Sequence, residues 1–106
     1  MFVICFYVPK AKSAQVKEAM FQAGAGQIGL YSHCAFEVQG VGQFKPLTGS
    51  MPAIGQIDSL EYVEEVKVEM ACQSEKIHEV ISAMKAAHPY EEVAFHIIRS
   101  VDLSED

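Results

Sequence analysis

Residues 23–34 read AGAGQIGLYSHC and place Gly24, Gly26 and Gly29 in the order G-x-G-x-x-G. A phosphate-binding loop of that spacing needs a strand before its first glycine and a helix opening at its last, because helix N-terminal amides hold the pyrophosphate. Here the flanks run the other way. Upstream, Val16, Ala19, Met20 and Ala23 fall at i, i+3, i+4 and i+7, with Lys17, Glu18 and Gln22 opposite them. That spacing predicts a helix over residues 14–23, capped by Ser13 and ended by Gly24 in the left-handed conformation. Downstream, from Ser32 to Phe44, Cys34, Phe36 and Val38 alternate against His33, Ala35, Glu37 and Gln39, which is a strand's period. The glycines therefore predict a helix stop and a tight turn into a strand, not a nucleotide cradle.

Working outward, Phe2 to Val8 is β-branched and aromatic, closes on Pro9, and is expected as a strand inside a sheet, buried on both faces. Gly40 and Gly42 suggest a bulge or bend in the second strand. The sixteen residues Lys45 to Leu60 carry Pro46, Gly49, Pro52 and Gly55. A connector that long is functional, packed on a partner, or an extended hairpin tip. Glu61 to Cys72 alternates again, with Val66, Val68, Met70 and Cys72 facing one way and Glu65, Lys67, Glu69 and Ala71 the other. Ser74 opens a second helix whose core stripe is Ile77, Val80, Ile81 and Met84, and Pro89 forbids its continuation. Val93 to Val101 is the last strand, and LSED, residues 103–106, is a frayed tail. The order strand, helix, strand, strand, helix, strand predicts an α+β, ferredoxin-like βαββαβ sandwich with two helices on one face of an antiparallel sheet.

The 106 residues allow a single domain spanning 1–106. Fourteen acidic side chains against eight basic ones give a net charge of -6, and no basic patch is concentrated anywhere, which excludes nucleic acid as the expected partner. The first residues are apolar for too short a stretch to span a membrane and lack a charged leader, so the expectation is a cytoplasmic protein without membrane contact. Three cysteines without C-x-x-C spacing, Cys5, Cys34 and Cys72, fit free thiols in a reducing compartment and read as small core residues.

The densest chemistry is His88, Pro89, Tyr90, Glu91 and Glu92, an imidazole, a phenol and two carboxylates at a helix-to-strand corner. It could bind a metal ion or a polar ligand; alternatively Pro89 stops the helix, Tyr90 packs, and the charged groups are solvated or paired across a subunit contact. His96 in an apolar strand reads as an interior or interface group, and His78 as exposed. His33 and Cys34 are neighbours on a strand and cannot act as a dyad. No nucleophile, base and anion hole can be assembled, no cofactor motif is present, and no catalytic residue or cofactor is assigned.

Taken together, AGAGQIGLYSHCAFEVQGVGQFKP, the G-x-x-P-x-I-G of residues 49–55, LEYVEEVKVEM and AHPYEEVAFHI resemble the central inserted domain of the NIF-three-like, or YqfO-like, family. The likeness runs from about residue 2 to residue 101. It implies a fold similar to CutA and the P-II signalling proteins, which commonly form trimers. The H-P-Y-E of residues 88–91 is also similar to a CutA motif near a subunit cleft. The resemblance thus implies His88, Tyr90 and Glu91 as interface or ligand residues, with Tyr31, Ser32 and His33 as a second wall. Family members flank this domain with two halves that carry a dinuclear metal site, and nothing here matches those ligands, so the expectation is the insert domain living alone.

The function expected is a small ligand-sensing or scaffolding module without its own catalysis, self-associating as a trimer, or else a dimer, and taking a small polar ligand. One alternative is a divalent or copper ion-binding protein resembling CutA. A second is a hydrolase acting on a phosphorylated small molecule.

Overall fold

The computed structural model describes residues 1–101 and Leu103; the last three residues of the expected LSED tail lie outside the described residues. Its elements are β1 (Phe2–Pro9), α1 (Ser13–Gln22), β2 (Phe36–Phe44), β3 (Glu61–Cys72), α2 (Ile77–Ala87) and β4 (Phe95–Arg99). The four strands form one antiparallel sheet in the order β2-β3-β1-β4, the α+β ferredoxin-like arrangement. β1 is interior, as its composition requires. Its register pairs Ile4 with Met70, Phe6 with Val68 and Val8 with Val66.

Those six side chains are buried on the face that the helices cover, where Val16 and Met20 of α1 and Ile77, Val80 and Met84 of α2 close over them. Each such side chain stabilises the fold by about 1.5–3 kcal/mol. Because alternate residues point to opposite faces, Val3, Cys5 and Tyr7 of β1 emerge on the other side of the sheet. Cys5 is buried there, while Val3 and Tyr7 are only half-buried. Cys72 joins the core, but Cys34 lies outside any strand and is partly exposed.

Several boundaries differ from the sequence reading, each for a local reason. Ser13 does not cap α1. A 3-10 turn at Lys10–Lys12 leads into the helix, so Ser13 is already helical and its buried hydroxyl donates to Glu37 instead, at 2.9 Å. Lys17 meets the same carboxylate at 2.7 Å, and these two bonds, Lys17's first, hold the Glu37 carboxyl below its ordinary range and tie β2 to α1. A second 3-10 turn, Ser74–Lys76, likewise delays α2 to Ile77. β2 begins at Phe36, not Ser32, because Ile28 and Tyr31 close a two-residue turn and His33 has φ 59°. No bulge interrupts β2, whose register with β3 runs unbroken from Phe36↔Glu69 to Phe44↔Glu61. The long connector is the tip of this β2–β3 hairpin.

The glycine stretch ends α1 in a Schellman motif. The Ala25 amide bonds to the Met20 carbonyl and the Gly24 amide to that of Phe21, with Gly24 at φ +116°. Gly26 then exchanges backbone bonds with Ala71 and Cys34, both 2.8 Å. A Cβ there would meet the Phe21 ring at 2.6 Å and the Cys34 carbonyl oxygen at 3.0 Å, at φ +79°, whereas one at Gly29 would meet open space. In urea unfolding, Gly26→Ala is expected to cost about 2 kcal/mol or more, from strain plus overlap. Gly29→Ala should cost only about 1 kcal/mol, the penalty of left-handed backbone alone. Equal losses would contradict this placement of the turn.

Candidate functional site

The corner after α2 is built around His88. Pro89 ends the helix, and the chain turns across the end of β1 towards the bare face of the sheet. The buried His88 ring places Nε2 2.7 Å from the Tyr7 carbonyl oxygen and Nδ1 3.1 Å from the Tyr90 amide. A carbonyl only accepts and an amide only donates, so Nε2 carries the proton and Nδ1 accepts. Both ring nitrogens are thus engaged within the chain, and His88 pins the corner to β1.

Tyr90 reaches under the sheet edge. Its hydroxyl donates to Glu65 Oε2 at 3.0 Å, and its ring stands 5.8 Å from that of Phe44 and 5.1 Å from His88. Burial first, then the charge of Glu65 and the bond to it, push the phenol above its ordinary value. Glu65 finds room because Gly42 lacks a side chain: a Cβ at Gly42 would collide with Glu65 Oε1. Glu91 accepts from the Met51 amide at 2.8 Å, fastening the hairpin tip to the corner. Between tip, corner and sheet lies a cavity of about 410 Å³, walled by Tyr7, Phe44 and Tyr90 and by apolar loop residues that include Pro46 and Ile54. Such a volume falls in the range of small-molecule sites.

Of the residues singled out from sequence, Tyr90 and Glu91 line this cavity, and His88 supports it from behind. Tyr31, Ser32 and His33 do not join them. The glycine turn is bonded to Ala71, which pairs with Val3, while His88 is bonded to Tyr7. Four residues of strand put the two places on the order of 13 Å apart along the sheet. At its own end, His33 Nε2 lies 3.2 Å from Glu18 Oε2, Nδ1 lies 3.0 Å from the Ser32 hydroxyl, and the ring tilts over Phe21 at 4.7 Å. Tyr31 is exposed. His78 is exposed as read, and His96 lies on the bare face with its ring edge-on to Tyr7 at 6.3 Å. Sequence reading missed Tyr7, Phe44 and Glu65 as lining; Gly42 lies diagonal to Glu65, since it pairs with Val63 while Gly40 pairs with Glu65, and that relation depends on a strand register no short stretch displays. Among the described residues, no three His, Cys, Asp or Glu side chains converge as a metal site.

No protein-family model matches the chain. The GTP cyclohydrolase 1 type 2 homolog of Bacillus subtilis is 50% identical over 94 residues, covering 89% of this chain and 25% of the relative. That of Mycobacterium tuberculosis is 50% identical over 95 residues, 90% of this chain and 25% of the relative. The chain thus spans about a quarter of the length of these curated relatives. Among solved structures, a Bacillus cereus protein related to NIF3 superposes with TM-score 0.78 at 40% identity, over 92% of this chain and 24% of that one. The periplasmic divalent cation tolerance protein CutA of Archaeoglobus fulgidus superposes with TM-score 0.69 at 18% identity, over 99% and 90%, which shows a shared fold.

Two outcomes test this geometry. His88→Ala, leaving the Tyr7 carbonyl and the Tyr90 amide without partners, should cost about 1–3 kcal/mol in denaturant unfolding whether or not metal ions are present. The Tyr90 phenol should give an alkaline dependence. In the unfolded chain it loses its proton near pH ~10 while the native chain keeps it, so above that pH the unfolded state binds fewer protons. Stability from this group is complete below pH ~10 and falls as pH rises further, and Tyr90→Phe should flatten that fall.

Proposed function

We propose that this chain, a NIF3-related domain, works as a self-associating ligand-binding module, its copies meeting through the bare face of the sheet and its cavity lying at one end of that face. The observation that carries the proposal is the chemistry of the face itself. One side of the sheet is closed by two helices; the other leaves Phe36 65%, Val38 49% and Ile98 52% exposed beside the half-buried Val3 and Tyr7. Phe36 and Val38 of β2 on one side, and Val3, Tyr7 and Ile98 of β1 and β4 on the other, flank a charged stripe of β3, Glu65, Lys67 and Glu69, on the same face; exposed apolar side chains rimming polar ones mark an interaction surface. A homo-oligomer, trimeric by the likeness to CutA or else dimeric, supplies the cover from identical copies.

The cavity supports binding over catalysis. It is walled mainly by aromatic and apolar groups, and its carboxylates, Glu65, Glu91 and Glu92, outnumber its one lysine, Lys45, so a phosphorylated substrate would be repelled. That weighs against a hydrolase of phosphorylated compounds. A metal ion held by His88 would have to take a ring nitrogen from Tyr7 or from Tyr90. Tyr31, Ser32 and His33 lie at the other end of the sheet, where His33 meets Glu18 and Phe21 of α1, and take no part in this cavity within one chain. No described helix is long and apolar enough to cross a membrane.

Sedimentation velocity at micromolar concentration tests the association. The wild-type chain is expected to sediment as a defined oligomer, and Val38→Lys as a smaller species with unchanged circular dichroism, because this side chain lies outside the helix-covered core. A monomeric wild type would overturn the proposal.

A further inference from the structure

We infer that the cavity between the β2–β3 hairpin tip and the corner at 90–94 selects a small organic cation, an ammonium or guanidinium group on an apolar body. The inference deepens the ligand-binding reading above and rests on it. Three carboxylates line the cavity, and each has capacity unspent. Glu65 accepts from the Tyr90 hydroxyl through Oε2, leaving Oε1 in the space that Gly42 keeps open. Glu91 accepts from the Met51 amide through Oε1, leaving Oε2. Glu92 takes no hydrogen bond among the described residues, and none of the three has an ion-pair partner among them. Lys45 lines the same cavity but stands beyond ion-pair distance of all three.

The rest of the wall suits an apolar body with a positive head. Tyr7, Phe44 and Tyr90 present aromatic rings, whose faces attract a cation, and the prolines and Ile54 present hydrocarbon. The carboxylates do not converge on one ion-sized point. A compact metal ion would therefore meet at most two of them, whereas an extended ammonium or guanidinium compound can reach them in turn while its hydrocarbon displaces water from the rings. Occupancy would also brace the bond from the Met51 amide to Glu91 that fastens the hairpin tip.

Amide chemical-shift titration with phenethylamine tests this, with 2-phenylethanol as neutral isostere, 3-phenylpropionate as anion, and calcium chloride as metal. Phenethylamine is expected to shift the amides of residues 44–54 and 90–94 saturably, with a dissociation constant of about 1–10 mM for so small a probe. It should bind at least about fivefold tighter than the alcohol. Glu65→Gln and Glu92→Gln, both able to keep the fold, should each weaken it about threefold to tenfold. The inference is overturned by equal binding of the alcohol, by tighter binding of the anion, by calcium shifting the same amides saturably, or by no saturable shift up to about 20 mM. A chain that stays oligomeric in sedimentation yet ignores phenethylamine sinks this inference alone; a monomer that binds it sinks the self-association.

Discussion

The pairing of β1 with β3 is the constraint on which everything else in this molecule depends. Both strands are interior, and their register sets Ile4, Phe6 and Val8 beside Met70, Val68 and Val66 under the two helices. A strand's period of two leaves no freedom after that. Tyr7 and Glu65, each one residue from a buried valine, must point to the opposite face, and the cavity forms where they meet the hairpin tip and the corner after α2. A slip of one residue would bury the carboxylates and expose the core.

Around that frame the corner is secured by directional bonds more than by burial. His88 joins helix end to strand through the Tyr7 carbonyl and shapes the turn through the Tyr90 amide. Tyr90 then reaches Glu65, and Glu91 reaches the Met51 amide. Segments far apart in the chain, near residues 7, 51, 65 and 90, are gathered at one end of the sheet. The H-P-Y-E-E run thereby has a division of labour: the histidine and proline build the corner, and the tyrosine and glutamates face the cavity. Its histidine is engaged on both nitrogens by a donor and an acceptor of the backbone, so its chemistry is used for architecture.

The fold was largely legible beforehand because its signals are local. β3 runs from Glu61 to Cys72, the bounds its alternation of apolar and polar residues marks in the sequence, since that alternation follows directly from one buried face. The helix stripes of Val16 with Met20 and of Ile77, Val80 and Met84 are buried for the same reason. Errors collected at ends, where a competing partner decides. Ser13 looked like a cap and instead serves Glu37, twenty-four residues away. Gly42 looked like a bulge and instead clears space for Glu65 on the neighbouring strand. Cys34 looked like strand core and sits in the loop that Gly26 anchors.

What the amino-acid sequence determined alone was the alternation of periods, the helix stops at Gly24 and Pro89, and hence the βαββαβ order, all of which depend on neighbours within a few residues. Only the tertiary structure decided that Tyr31, Ser32 and His33 stand at the opposite end of the sheet from Tyr90 and Glu91, and that Glu65, Phe44 and Tyr7 complete the cavity instead. Those outcomes follow from strand register and from which face each alternate residue takes, quantities fixed by pairing between distant segments and not encoded in any short stretch.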